Sequence, residues 1–183
     1  MKLMIASDIH GSAYYTRLIA ETYREEKPDK LLLLGDILYH GPRNNLPKEY
    51  SPRDVFAMLN GMSEEILCVQ GNCDSDVDQM VLEFPIKAES CIIYSGSRMI
   101  FATHGHIYNT ETPPMLKHGD ILLHGHTHVT NWDTFGANEN YYLNPGSVSL
   151  PKEGYRHSYM IFEDGTFLWK DIETGEVFHE LKL

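Results

Sequence analysis

Cysteine is scarce in this chain: only Cys68, Cys73 and Cys91 occur among 183 residues. Three cannot all pair and none has C-x-x-C spacing, so a reducing compartment is expected. Long apolar runs are missing too, and none approaches the roughly 20 residues of a membrane span. Basic residues are few, 15 against 26 acidic ones, which gives a formal charge of −11. That balance repels polyanions and argues against bulk nucleic-acid binding. The segment Met1–Asp8 reaches polar and acidic residues too soon for a signal peptide, so a cytoplasmic location is expected. Low-complexity stretches, internal repeats and an interdomain linker are all absent. With 42% hydrophobic and 22% charged residues, residues 1–183 are expected to form one domain, able to bury about 70% of its unfolded surface.

Histidine is plentiful by contrast. Ten occur, four of them (His118, His124, His126, His128) within Leu116–Val129, and histidine is the commonest metal ligand. Their placement follows from the pattern of elements. Leu3–Ala6, Leu31–Leu34 and Ile66–Val69 are short continuous apolar runs, as expected of strands covered on both faces. Gly11-Ser12 opens a helical pattern with Tyr15, Leu18, Ile19, Thr22 and Tyr23 on one face, which stops before Pro28. Ser51-Pro52 reads as an N-cap and first-turn proline of a second helix, with Val55, Phe56, Leu59 and Met62 facing inward. This βαβαβ order predicts a parallel sheet with right-handed crossovers. The second half predicts strands at Cys91–Tyr94, Arg98–Thr103 and Ile121–Leu123. From Thr130 onward strand-like segments alternate with turns, and His157–Phe162, Thr166–Asp171 and Val177–Leu183 read as a closing antiparallel meander. Two packed sheets with helices outside are expected.

The residues that follow the buried runs share one character. The runs lead into Ser7-Asp8-Ile9-His10, Gly35-Asp36, Gln70-Gly71-Asn72-Cys73-Asp74, His104-Gly105-His106 and His124-Gly125-His126-Thr127-His128. Five strands thus deliver Asp, Asn or His at their C-terminal ends, the edge where open α/β sheets bind ligands. The donors Asp8, His10, Asp36, Asn72, His104, His126 and His128 offer carboxylate, amide and imidazole without thiolate. That set suits Mn²⁺, Fe or Zn²⁺ better than copper or iron–sulfur clusters. Seven are too many for one four-coordinate ion and suit two adjacent ions, which can clamp the attacking and leaving oxygens of a phosphoryl transfer. Asp36, central in chain order, is the natural bridging carboxylate. Taken singly, Gly35-Asp36 would be an ordinary turn, Gly71–Asp74 an Asx-turn and Gly125–His128 a lone structural zinc site. Their conjunction at five strand ends carries the reading.

Together these blocks resemble the motif set of the calcineurin-like metallophosphoesterases, across about Met1 to Ser149. The small size, Gly41-Pro42-Arg43-Asn44, Gly71-Asn72-Cys73-Asp74 and Asn144-Pro145-Gly146-Ser147 narrow the resemblance to bacterial phosphodiesterases of the YfcE type. The resemblance implies an α/β fold, a four-layer αββα sandwich of two mixed β-sheets flanked by helices. It also implies a dinuclear centre, most often active with Mn²⁺, with Zn²⁺, Fe²⁺ or Ni²⁺ as other occupants. One ion would take Asp8, His10, Asp36 and His128, and the other Asp36, Asn72, His104 and His126. A hydroxide bridging both would attack phosphorus, with Asp36, Asn72 and His104 at the catalytic heart. The implied activity is hydrolysis of small phosphodiesters, including artificial aryl diesters. A phosphomonoesterase of the same fold and a non-catalytic scaffold like the retromer small subunit are the alternatives.

Cys73 departs from the pattern, because many relatives carry histidine there as an aid to leaving-group departure. A thiol there either donates a proton or is simply a small packed residue. Arg43 and Asn44, in the loop after the second apolar run, either grip the substrate phosphate together with Cys73 or are solvated loop groups. Partners are expected to be a small phosphoester and neither nucleic acid nor membrane, with the β-rich second half permitting a homo-oligomer.

Overall fold

The computed structural model describes all residues from Met1 to Leu183. The first sheet contains β1 (Lys2–Ala6), β2 (Lys30–Leu33), β3 (Ile66–Cys68), β9 (Ser158–Glu163), β10 (Thr166–Asp171) and β11 (Val177–Lys182), in the order β11-β10-β9-β1-β2-β3. The second contains β4 (Ser90–Ser95), β5 (Arg98–Thr103), β6 (Ile121–Leu123), β7 (Thr130–Phe135) and β8 (Asn140–Pro145), in the order β4-β5-β6-β8-β7. β1, β2 and β3 run parallel, as do β5, β6 and β8, while β9–β11 form the expected antiparallel meander.

The continuous apolar runs behave as strands buried on both faces must. In β1, Met4 and Ala6 point into the core beneath the helices, while Leu3 and Ile5 point between the sheets. Leu31 and Leu33 share the first core; Leu32 and Leu34 meet Ile100, Ala102, Ile121, Leu123 and Leu143 in the second. Trp169 of β10, fully buried, donates its indole N–H to the Asn144 carbonyl of β8 (2.8 Å) and so ties one sheet to the other.

Both long helices join the core on the first sheet's outer face. α1 (Ala13–Glu26) buries Tyr15 and Ile19 and is capped by Ser12, whose hydroxyl accepts from the Tyr15 N–H (3.3 Å). α2 (Pro52–Asn60) starts at the expected proline, but Ser51 makes no side-chain bond to the helix backbone; its hydroxyl donates to Asp54 instead (2.7 Å). A short third helix, α3 (Asp76–Gln79), follows β3 and carries a Ser75–Asp78 capping box. The outer face of the second sheet is covered differently: Phe101 packs edge-on against Tyr108, in the long non-helical segment after β5.

Parallel strands place their C-terminal ends on one edge of a sheet. Each sheet contributes three of them, and the segments following β1, β2, β3, β5, β6 and β8 meet where the two edges adjoin.

Candidate metal centre

The turns at this edge are tight enough to demand unusual backbone. Asp8, His10, Asp36, His126 and His128 all have positive φ, between 50° and 65°. Non-glycine residues in that region cost of order 1 kcal/mol or more each and cluster at functional sites. The accompanying glycines allow the turns to interlock. A Cβ on Gly71 would lie 2.1 Å from Asp36 Oδ1, and one on Gly125 would lie 1.9 Å from Ser7 Oγ. Neither position tolerates a side chain.

Three histidines are oriented from behind. His10 Nδ1–H donates to the Tyr39 carbonyl (2.8 Å), His104 Nδ1–H to Leu34 (2.7 Å) and His128 Nδ1–H to Leu150 (2.6 Å). A carbonyl can only accept, so each proton sits on Nδ1 and each Nε2 presents a lone pair to the centre. The inward-facing atoms then crowd one another: His10 Nε2 and His128 Nε2 are 3.1 Å apart, His104 Nε2 and His126 Nδ1 3.1 Å, and His104 Nε2 and Asn72 Oδ1 3.0 Å.

The carboxylates complete two groups. Asp8 Oδ1 lies 3.6 Å from His10 Nε2 and 3.4 Å from His128 Nε2, is buried, and has no hydrogen-bond partner. Its other oxygen accepts from Ser7 Oγ (2.7 Å) and the His126 N–H (3.0 Å), which holds the open oxygen in place. Asp36 Oδ2 stands between the groups, 3.7 Å from His10 Nε2 and 3.5 Å from His104 Nε2. Two ligand atoms about 2.1 Å from one ion at a tetrahedral angle are about 3.4 Å apart. Converging lone pairs, an orphaned buried carboxylate oxygen and this spacing fit divalent cations.

The electrostatics show the same demand for positive charge. Burial alone would push the Asp8 carboxyl up, but His10 and His128 facing it hold it well below the usual range. Burial alone would lower His10, but the Asp8 carboxylate raises it. Burial lowers His126, and pushes the neighbouring His124, stacked on Tyr142, down to about 4.

All seven expected donors are thus brought together. Arg43, Asn44 and Cys73 line the same cavity of about 260 Å³ as His10, Asp36, Asn72, His126 and His128. The Cys73 N–H donates to Asp36 Oδ1 (2.8 Å), and burial pushes its thiol up, so it stays neutral. His106 meets His104 edge-on, at 5.4 Å between ring centroids, outside that lining.

Two contributions escape the motif spacing. Asp74, quoted in the Gly71–Asp74 block without a role, accepts from the backbone N–H groups of Asp36 (2.9 Å), Ile37 (2.9 Å) and Gly71 (2.7 Å), pinning the β2 and β3 exits together. Ser147 and Ser149 donate their hydroxyls to the Asp8 carbonyl (2.8 and 2.9 Å).

Comparison with known proteins decides the family. Residues 1–165 match the calcineurin-like phosphoesterase superfamily domain. The chain belongs to that family. It is 44% identical to the phosphodiesterase YfcE of Escherichia coli strain K12 over 164 residues, 90% of this chain and 88% of that protein. The solved structure of the E. coli YfcE phosphoesterase superposes with a TM-score of 0.94 at 40% identity, covering 99% of this chain and 98% of that one. A Vps29 from Entamoeba histolytica solved with Zn²⁺ shares the fold, with a TM-score of 0.62 at 18% identity over 99% of this chain and 98% of that one. As a calcineurin-like phosphoesterase the chain is a hydrolase of phosphoric esters, and its two mixed sheets with few helices match the family's fold. No helix is long and apolar enough to cross a membrane.

Proposed function

We propose that residues 1–183 act as one domain, a metal-dependent phosphodiesterase of small substrates working in the cytoplasm, with two divalent ions and Mn²⁺ as the favoured metal. The observation that carries this is Asp36 Oδ2, which faces His10 on one side and His104 on the other. One ion is assigned to Asp8, His10, Asp36 and His128, the second to Asp36, Asn72, His104 and His126. When bound, the pair supplies positive charge for the phosphoryl oxygens and activates water as hydroxide near neutral pH.

The chain's own residues do the rest. His10, His104 and His128 keep their protons on the outer nitrogens, bonded to backbone carbonyls, so their inner nitrogens stay available. Asp74 fixes the position of Asp36, and Ser7 fixes Asp8. Arg43 and Asn44 hold the substrate phosphate from the β2 exit loop, against Cys73. The water gives up a proton to solvent as its oxygen forms a bond to phosphorus, the P–O bond to the leaving group breaks, and that oxygen leaves with the electron pair, to be protonated in turn where it is basic. Cys73 supports diesters with good leaving groups, because a neutral thiol offers none of the positive charge of an imidazolium. The 44% identity to a protein named a phosphodiesterase supports the same substrate class.

Metal-depleted protein, supplied separately with Mn²⁺, Ni²⁺, Zn²⁺ and Mg²⁺, should hydrolyse bis-aryl phosphate faster than aryl monoesters, with Mn²⁺ best. Metal-independent turnover, or faster monoester hydrolysis with every metal, would overturn the reading.

A further inference from the structure

The cavity holds one cation that no motif announces. Lys152 lines it together with Arg43, and each is free of any carboxylate within 4 Å. Five of the 15 Lys and Arg side chains pair with a carboxylate within 4 Å, Lys2 and Lys170 with Glu26, Arg17 with Glu49, Lys87 with Asp76 and Arg156 with Glu176, whereas Arg43 and Lys152 both face the cavity unpaired.

The backbone of Lys152 is fixed at the cavity rim, while its side chain is exposed. Its backbone N–H donates to the His128 carbonyl (3.1 Å), while the His128 ring donates to the Leu150 carbonyl two residues earlier (2.6 Å). Residues 150–152 therefore clasp His128 from both ends, and Leu150 is fixed in turn by Ser147 Oγ (2.8 Å). Arg43 enters from another wall, on the loop whose Gly41 would place a Cβ 3.4 Å from Cys73 Sγ.

Charge and volume then point the same way. A phosphodiester carries one negative charge, which the bound ions and Arg43 already face, so Lys152 is a cation in excess of what that charge needs. A cavity of about 260 Å³ exceeds one phosphoryl group, since a water occupies about 30 Å³ in the liquid. We propose that Lys152 is a specificity residue that binds a second anionic group on the substrate, so that the favoured substrates are phosphodiesters carrying a further phosphate on the non-leaving side. This rests on the phosphodiesterase reading for the reaction, but the anion site is separable from it.

Two p-nitrophenyl phosphodiesters test the idea, one with a methyl group as the second ester and one with a 2-phosphoethyl group. Wild-type kcat/KM should favour the phosphoethyl diester at least about fivefold, through KM, with the preference shrinking at high salt. Lys152→Met should lower kcat/KM about tenfold on the phosphoethyl diester and less than about threefold on the methyl one, and Lys152→Arg should restore most of the loss. Calorimetry on Mn²⁺-loaded protein with ethylene glycol bisphosphate and methyl phosphate should show the same selective weakening in Lys152→Met. Equal weakening of both ligands, or of neither, overturns the assignment. If the wild type binds the bisphosphate more tightly yet hydrolyses neither diester, the phosphodiesterase reading fails and the anion site stands.

Discussion

The molecule withdraws carboxylates from solvent at several places and leaves one of them short of partners. At the C-terminal end of α1, the half-buried Glu26 lies between Lys2 (3.0 Å) and Lys170 and also accepts from the Tyr159 hydroxyl (3.2 Å). At the strand ends, Asp8 and Asp36 have no lysine or arginine within 4 Å; only histidines face them, and Asp8 Oδ1 has no hydrogen-bond partner. An unpaired buried charge costs several kcal/mol. The chain therefore supplies the counter-charge itself at Glu26 and leaves the strand-end site short of positive charge. A missing partner inside a well-packed site marks where a ligand belongs; a satisfied pair marks structure.

The sharpest way to break this contrast is to remove a charge from the open site. Asp36→Asn should lower kcat/KM at least about 100-fold, the scale of losing a main electrostatic element of an active site, with unchanged circular dichroism and fewer ions by elemental analysis. Near-normal turnover with two ions retained would show that Asp36 is not the bridge.

Metal addition should distinguish the two carboxylate clusters thermodynamically. An ion at about 100 times its Kd adds about 2.7 kcal/mol, or about 5–10 °C in Tm for a domain of this size. Mn²⁺ should give that rise in the wild type and in Glu26→Gln, and less than half of it in Asp8→Asn. An equal rise in Asp8→Asn would place the ion elsewhere.

A smaller effect concerns the leaving group. Cys73→His should help alkyl diesters more than aryl ones, because general acid catalysis is worth roughly 10²–10⁴-fold only where a proton is needed. The gain should come with a higher KM, since the Gly41 loop rests close against Sγ and must move for an imidazole. Cys73→Ala should cost less than about threefold on an aryl diester. A large loss across the whole leaving-group series would make the thiol a participant, and an unchanged slope in Cys73→His would mean that another group already supplies the proton.

What was legible in the sequence, and what was not, follows from how each feature is encoded. Buried parallel strands need continuous apolar runs, and a site at their C-terminal ends needs polar residues just after those runs, so Asp8, Asp36, Asn72, His104 and His126 could be read off one dimension. The antiparallel meander was visible through its turns. Ser51 shows the limit of local rules: a good N-cap residue made its bond to the Asp54 side chain instead. Asp74 acts through three backbone N–H groups on two segments, a relation that exists only after β2 and β3 align. Lys152 has no spacing relation to the other donors; it arrives through the clasp on His128, which no periodicity encodes.

The closed cluster offers the smallest and most specific test. Burial alone would raise the Glu26 carboxyl, but Lys170 and Lys2 outweigh it and hold it below its ordinary value. Its folded pKa is thus lower than its unfolded one of about 4.3. Such a group contributes stability that is fully present above the unfolded pKa and is lost as pH falls through the folded one. Glu26→Gln should therefore cost about 1–2 kcal/mol near pH 7, between the values for exposed and fully buried pairs, without changing turnover. The gap in stability between wild type and variant should stay constant from pH 7 to about 5 and shrink as pH falls below the unfolded value of about 4.3 and through the lower folded one. Urea midpoints measured across that range would decide it. A gap that did not shrink at all between about pH 5 and about pH 2 would mean that Glu26 acts through packing and its neutral hydrogen bonds rather than through its charge, and the contrast between a charge-matched cluster and an unmatched one would lose its first half.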